Sequence, residues 1–145
     1  IAIVEVSNLH LAGRKATVAA QSSADLAAQE RFVNAGKLAD IISAVTAVMA
    51  PYPAAGLGYD IASVEADPDG NVGVGWRITQ GSLAGAGGGI PAPALNLVST
   101  NDSVIAVTVV YQYRPTLNFL FGNINLVEQA FARPRRVRII PLQPG

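Results

Sequence analysis

The sequence predicts an α+β domain in which a long N-terminal helix and a second helix pack on an antiparallel sheet of about four strands. Over residues 1–50 the apolar side chains recur at helical spacing, and over most of the remaining chain they alternate with a period of two. The chain has 145 residues, 50% of them hydrophobic, which is enough to bury one core. We therefore predict a single domain over residues 1–145, with its sheet at about 58–140.

The first predicted helix covers residues 1–33. This segment is rich in alanine and contains no proline and one glycine, Gly13, a composition that favours helix. Its larger apolar residues recur about every seven positions, which predicts a narrow apolar stripe that packs, while a broad polar side meets water or a partner. The stripe consists of Leu11, Val18, Leu26 and Val33. Gly36 is expected to break the helical run.

The second predicted helix covers residues 37–50 and has the clearest amphipathic pattern in the chain. Its apolar residues recur mostly at intervals of three and four, which predicts one face buried against the sheet. That face consists of Leu38, Ile41, Ile42, Val45, Val48 and Met49. Pro51 and Pro53 end the helix, because proline cannot continue it.

The first two predicted strands form a hairpin. A strand at residues 59–66 is followed by residues 67–71, which have the chemistry of a tight turn. In the next strand every second residue is apolar, and these residues are Val72, Val74, Trp76 and Ile78. This alternation predicts one continuous apolar face.

Two further strands follow a glycine-rich stretch. Residues 81–93 contain too much glycine to hold a strand or helix and are predicted to form a flexible loop. Residues 104–113 are almost wholly β-branched or aromatic, which indicates a central strand covered on both faces. The last predicted strand spans residues 124–132.

Charge and cysteine content exclude several functional classes. Lysine plus arginine and aspartate plus glutamate number 10 each, so no strong field attracts nucleic acid, which we do not expect as a partner. The chain has no cysteine and one histidine, His10, which excludes disulfides, thiolate metal sites and sites made of several histidines. We expect no cofactor, and His10 is interpreted as an ordinary surface residue.

Two motifs resemble ligand sites but have simpler interpretations. Asp67, Asp69 and Asn71 imitate the first oxygen positions of a calcium loop, yet the glycine and glutamate that such a loop needs are out of place, so a hairpin turn is favoured. The glycines at 85–89 lack the lysine and the strand-loop-helix context of a phosphate-binding loop. Trp76, Tyr111 and Tyr113 are interpreted as core residues and not as a ligand platform.

The arginines at the end of the last strand form the one dense positive cluster: Arg133, Arg135, Arg136 and Arg138. They fit contacts with anionic lipid or an acidic partner, or equally an edge guard against sheet-to-sheet pairing. On the polar side of the first helix the candidate partner-facing residues are Arg14, Lys15, Gln21 and Asp25. Without a nucleophile-base pair, metal set or nucleotide loop, the residues favour a non-enzymatic interaction protein.

Three stretches resemble the TadE-like family, minor pseudopilins of the tight-adherence (Tad/Flp, type IVc) pilus system. The helix that follows the membrane anchor of that family resembles residues 3–7 together with 13–29. Its late strand and bend resemble residues 111–115 and 120–122, and its closing segment resembles residues 128–136. The resemblance implies a pilin-like fold. Glu5 matches the glutamate at the far end of the anchor better than that of a mature pilin, because the chain turns polar directly after it.

The resemblance also implies a location and partners. Members of this family are held in the inner membrane by an N-terminal helix, which is missing ahead of Ile1, with the remaining domain in the periplasm. Partners would be other minor pseudopilins and pilus-assembly proteins, and the downstream roles would be adhesion and biofilm formation. Two rivals are a soluble periplasmic ligand-binding module, which needs a concave apolar pocket, and a hydrolase that uses Asp67 or Asp69 in a cleft.

Overall fold

The structure, a computed structural model, describes residues 2–50, 56–81, 89–113 and 124–143, with side chains described from Ser7 onward. Within these residues the chain forms three helices and four strands. In order they are α1 (Ala2–Ala28), α2 (Ala35–Met49), β1 (Leu57–Ala66), β2 (Val72–Gly81), α3 (Ala92–Leu97), β3 (Ser103–Tyr113) and β4 (Ile124–Ala132). The predicted α+β class, with two larger helices and a four-stranded antiparallel sheet, is confirmed, whereas the short helix α3 was not predicted.

The sheet has the order β2-β1-β3-β4, and each neighbouring pair is antiparallel. The two central strands are therefore β1 and β3, and their apolar residues are the most deeply buried in the sheet. The predicted central strand, residues 104–113, lies within β3; its odd-numbered residues are buried throughout, whereas Thr108, Val110 and Gln112 on the other face are half-buried. Residues 133–143 form no further strand of the sheet, which ends at Ala132 and not near residue 140.

Both larger helices lie on the same face of the sheet. α1 packs on β3 and β4, and α2 lies beside α1. The hydroxyls of Thr46 on α2 and Tyr59 on β1 are 2.8 Å apart, which places α2 over the other half of the sheet. In the predicted apolar face of α2, Leu38, Ile41, Val45 and Met49 are buried, whereas Ile42 and Val48 are half-buried.

The segment between the helices differs from the prediction. α1 ends at Ala28, before residue 33, and the carbonyl oxygen of Ala28 accepts a hydrogen bond from the backbone N–H of Arg135 at 2.9 Å. Val33 is not helical, because it pairs with Leu142 in an isolated parallel bridge. The side chain of Asn34 accepts a hydrogen bond from the N–H of Lys37 at 2.9 Å and so caps α2. Gly36 accordingly lies inside α2 and does not break a helix.

A β-bulge at Gly75 divides β2 into two halves with opposite alternation. Ser63 lies opposite Trp76, but the next residue of β1, Val64, lies opposite Val74, so Gly75 has no partner. A side chain at Gly75 would collide with the carboxylate of Glu65. Trp76 therefore faces the helices, whereas Val74 is 39% exposed on the other side. The predicted continuous apolar face of β2 is wrong.

The face of the sheet away from the larger helices has a small core of its own. Val64, Ala94 of α3 and Ala106 are buried there, and partly buried apolar side chains surround them. Gly81 of the predicted flexible loop belongs to β2, and residues 92 and 93 begin α3. Residues 82–88, which include most of the glycines of that loop, lie outside the described residues.

Candidate interaction surface on the first helix

The buried face of α1 consists of small side chains. Eight residues on this face are at most 2% exposed: Ala12, Ala16, Ala19, Ala20, Ser23, Ala24, Ala27 and Ala28. The hydroxyl of Ser23 donates to the carbonyl oxygen of Ala19 at 2.6 Å, so the one polar side chain among them is satisfied within the helix. Small side chains let the helix approach β3 and β4 closely and pack without voids.

The opposite side of α1 is exposed and carries the larger apolar residues. Leu11 is 46% and Val18 is 49% exposed, and Leu26 at the margin is 37% exposed. Because successive helical residues are rotated by about 100°, the five exposed residues from Leu11 to Asp25 on this side lie within about 80° of one another. We call this strip the exposed flank, and it consists of Leu11, Arg14, Val18, Gln21 and Asp25.

The predicted packing of α1 is therefore reversed. Leu11, Val18 and Leu26 were expected to form the packed stripe, but they face solvent, and alanines are buried instead. The physical reason is that a helix lying close to a sheet buries small side chains, so the size of an apolar residue is a poor sign of burial here. The alanines did contain the correct signal, since Ala12, Ala16 and Ala20 recur every four residues, a spacing that places them on one helical face.

Lys15, one of the candidate partner-facing residues, is bonded within the domain. It is half-buried, and its Nζ donates to the carbonyl oxygen of Ala50 at 2.6 Å and to that of Val48 at 3.5 Å. These carbonyls are at the C-terminal end of α2, where a positive charge is favourable. Lys15 therefore fastens α2 to α1, whereas Arg14 next to it is exposed.

The arginines after β4 do not form one positive patch. The guanidinium of Arg133 donates to the carbonyl oxygen of Leu97 at 2.9 Å, at the end of α3. Arg135 points instead to α1, where its guanidinium donates to the carboxylate of Asp25 at 3.1 Å. Arg136 and Arg138 are exposed. Arg133 and Arg135 of the predicted cluster are thus directed to opposite faces of the sheet.

The ion pair between Asp25 and Arg135 lies at the end of the exposed flank. Both side chains are more than half exposed, at 55% and 58%. Such a pair contributes little to stability, because water screens it and two mobile side chains must be ordered. Its charges are accordingly accessible to a partner at low cost.

The acidic turn between β1 and β2 is a hairpin turn, as predicted. Oδ1 of Asp67 accepts hydrogen bonds from the backbone N–H groups of Asp69 and Asn71 at 2.9 and 2.8 Å, and Oδ2 accepts from the side-chain amide of Asn71 at 3.0 Å. These bonds, above all the one from the Asn71 side chain, lower the pKa of Asp67. Within the described residues, no three histidine, cysteine or acidic side chains are grouped closely enough to bind a metal ion.

A partly buried ion pair on β1 and β2 was not predicted. The Nε of Arg77 donates to the carboxylate of Asp60 at 3.1 Å, and the guanidinium also donates to the carbonyl oxygen of Gly89 at 3.0 Å. Burial raises the pKa of Asp60, and the charge and hydrogen bond of Arg77 partly offset the rise. The pair connects the hairpin to the segment before α3, so its arrangement supports the fold.

Two grooves in the described residues are open to solvent. One, of about 510 Å³, lies beside the acidic turn and is bordered by Glu65 and Asp67. The other, of about 420 Å³, lies between the start of α2 and β2 and has a mostly apolar lining that includes Leu38, Trp76 and Ile78. Neither groove borders the exposed flank of α1.

None of the helices in the described part of the chain has both the length and the apolar character that crossing a membrane requires. No protein-family model matches the sequence, and neither a curated protein nor a solved structure gives a match.

Proposed function

We propose that this chain is a pseudopilin-like, non-enzymatic component of Tad/Flp (type IVc) pilus biogenesis that acts through protein-protein contacts. The observation that carries the proposal is the exposed flank of α1, whose apolar residues Leu11 and Val18 are each nearly half exposed. Two exposed apolar side chains with polar and charged neighbours on a solvent-facing side of a helix supply contact area of the kind that protein-protein interfaces use.

The architecture supports the proposal. A pilin-like fold consists of an N-terminal helix packed on an antiparallel sheet, and here α1 lies on β3 and β4 with one face and leaves the other face open. In this proposal the segment ahead of Ile1 is an inner-membrane anchor, and the described domain lies in the periplasm. The exposed flank then contacts other minor pseudopilins or pilus-assembly proteins, and so supports adhesion and biofilm formation.

The partner-facing residues of this proposal differ from the predicted set. Arg14, Gln21 and Asp25 stay in it because they are exposed on the flank. Lys15 leaves it because it binds the end of α2. Leu11 and Val18 join it, since burying their exposed apolar surface against a partner favours association.

The alternative, a soluble periplasmic ligand-binding module, has one observation in its favour. The groove of about 420 Å³ between α2 and β2 combines an apolar lining with Arg77 and Gln143. Ligand sites usually enclose most of the ligand surface, however, and this groove is open to solvent. The interaction-protein proposal is therefore the better supported of the two.

The proposal is tested in a bacterial strain whose only copy of the gene carries Leu11→Lys and Val18→Lys together. Both side chains point to solvent, so the domain should stay folded, with a change in unfolding free energy within about 0.5 kcal/mol for each substitution. Piliation and recovery of partner pseudopilins in pull-downs should fall, because two charges would be placed in the apolar centre of the interface.

The control is Leu95→Lys on α3, a leucine that is 48% exposed on the far side of the sheet. It should leave piliation and partner recovery at the wild-type level. Normal piliation in the Leu11→Lys, Val18→Lys strain, with the protein present at normal abundance, would show that the exposed flank is not the interface.

A further inference from the structure

β4 is an edge strand, with β3 on one side and no strand of the described chain on the other. We propose that β4 pairs with β4 of a second copy of this chain, antiparallel and about a two-fold axis at Val127, so that two sheets join into one. This inference does not depend on the pilus proposal, because it concerns self-association of the domain.

The direction of the backbone groups on β4 follows from the ladder between β1 and β3. At the end of this ladder where β1 finishes, the N–H of Ala66 donates to the carbonyl oxygen of Asp102 at 3.0 Å. At its other end, the carbonyl oxygen of Gln112 lies 3.0 Å from the position that a Cβ on Gly56 would occupy, so it too points toward β1. Even-numbered residues of β3 therefore direct their backbone groups to β1, and odd-numbered ones to β4.

The register of β3 and β4 then determines which groups of β4 are free. Val109 lies opposite Glu128 and Tyr111 opposite Leu126, so the even-numbered residues of β4 bond to β3. The odd-numbered residues direct their N–H and C=O groups away from the sheet. Three of them have exposed side chains as well, and they are Asn125, Val127 and Gln129. No backbone bond of these three to any other described segment is present.

β4 has only one of the features by which natural proteins protect the edge of a sheet, the inward-facing charge of Glu128 opposite Val109. It has nine residues, no proline and no lysine, and Glu128 is its one charged residue. Its pairing with β3 runs without a bulge, whereas the other edge strand, β2, is interrupted at Gly75. A long, regular and almost uncharged edge strand is a template for pairing with another strand.

The sequence of β4 is self-complementary about Val127. With the axis there, Val127 lies opposite its own copy, and Asn125 lies opposite Gln129 of the second copy. The three outward-directed residues then all form hydrogen-bonded pairs. Val127, which is 56% exposed in one chain, would be covered by an identical side chain.

This register also keeps the carboxylates apart. Glu128 lies opposite Leu126 of the second copy, whereas an axis shifted to Glu128 would place two carboxylates directly opposite each other, which is unfavourable. The net charge of the chain is zero, so no long-range repulsion opposes the approach of two copies. Together these features favour a second copy as the occupant of this edge.

The experiment compares the 145-residue chain with edge variants by sedimentation equilibrium. Wild type should reach a mass of twice the 15.0 kDa of one chain. Val127→Lys places two like charges at the two-fold axis. Val127→Pro removes an N–H group that points away from β3 and would bond to the second copy. Each substitution should therefore raise the dimer Kd by at least about tenfold. The matched control is Val74→Lys, an exposed valine on the opposite edge strand, which should leave the Kd unchanged.

A second measurement uses the absence of cysteine from the chain. A single cysteine introduced as Val127→Cys should give a covalent dimer with a short bifunctional thiol reagent, whereas Val74→Cys should give none above background. Circular dichroism and the melting temperature establish that each variant is folded. A wild-type chain that stays monomeric up to about 1 mM overturns the proposal, as does a dimer that folded Val127→Lys leaves intact.

Discussion

Exchanging side chains between the two faces of α1 gives the sharpest test of the fold. Ala16→Leu places a large side chain on the buried face, where Ala16 is 0% exposed. Leu11→Ala removes the same kind of side chain from the exposed flank, where Leu11 is 46% exposed. Alanine and leucine have similar helix propensities, so differences in stability report packing and not helix formation.

The expected magnitudes follow from burial. Three added carbon atoms at Ala16 have no space between α1 and the sheet, and such overpacking costs about 1–3 kcal/mol. For a chain of 145 residues an unfolding entropy of about 2.1 cal/mol/K per residue makes 1 kcal/mol equal to roughly 3 °C, so the melting temperature should fall by about 3–10 °C. Leu11→Ala should change the unfolding free energy by no more than about 0.5 kcal/mol.

The assay is thermal and urea denaturation followed by circular dichroism at 222 nm, a wavelength sensitive to helix, on wild type and both variants. Urea midpoints with unchanged slopes would give the free-energy differences directly. The reverse ranking, with Leu11→Ala strongly destabilised and Ala16→Leu near wild type, would refute the reversed packing of α1. It would also restore the leucine and valine stripe as the packed face.

Two further predictions concern Lys15 and the acidic turn. Lys15→Met should lower the free energy of unfolding by roughly 1–3 kcal/mol, because charge-assisted hydrogen bonds to the end of α2 are lost. The control, Arg14→Met, should change the free energy of unfolding by no more than about 0.5 kcal/mol. Equal urea midpoints for the two variants would contradict the role of Lys15 in holding α2 against α1. The pKa of Asp67, measured by NMR titration of its carboxyl carbon, should lie below the ordinary value of 3.8 and rise in Asn71→Ala, since the Asn71 side chain is the main cause of the lowered pKa. The associated stability is present above the unfolded-state pKa and is lost as the pH falls through the folded-state pKa, so wild type and Asn71→Ala should converge in stability in acid. A pKa of Asp67 that is the same in both proteins would assign the shift to another group.

The sequence was most informative where periodicity and residue size agree. In α2 the residues Leu38, Ile41 and Val45 are both large and correctly spaced, and all three are buried. In β3 the β-branched and aromatic run predicted a central strand, and its odd-numbered residues are in the main core. The turn at Asp67 was predictable because its hydrogen bonds are local.

Prediction was wrong where size and periodicity disagree. On α1 two faces compete, one with large apolar residues about seven apart and one with alanines four apart. Amphipathicity alone favours burial of the face with the large apolar residues, but a helix that packs closely on two strands needs the face with the alanines. Two polar candidates differ although they are neighbours in sequence. Lys15 donates a hydrogen bond to the carbonyl oxygen of Ala50, whereas Arg14 is exposed.

By itself, the sequence determined the class of the fold and the positions of α2 and the four strands to within a few residues, because helix and strand periodicity, caps and turns depend on residues close along the chain. It placed the end of α1 at residue 33 and not at Ala28, and it did not predict α3. Only the tertiary structure decided which face of α1 packs, where the arginines after β4 point and how the bulge at Gly75 reverses the alternation of β2. Each of these depends on a partner far away in sequence, as Arg135 and Asp25 are 110 residues apart. A local pattern carries no information about that distant neighbour, and the neighbour determines whether a side chain is buried, bonded or free.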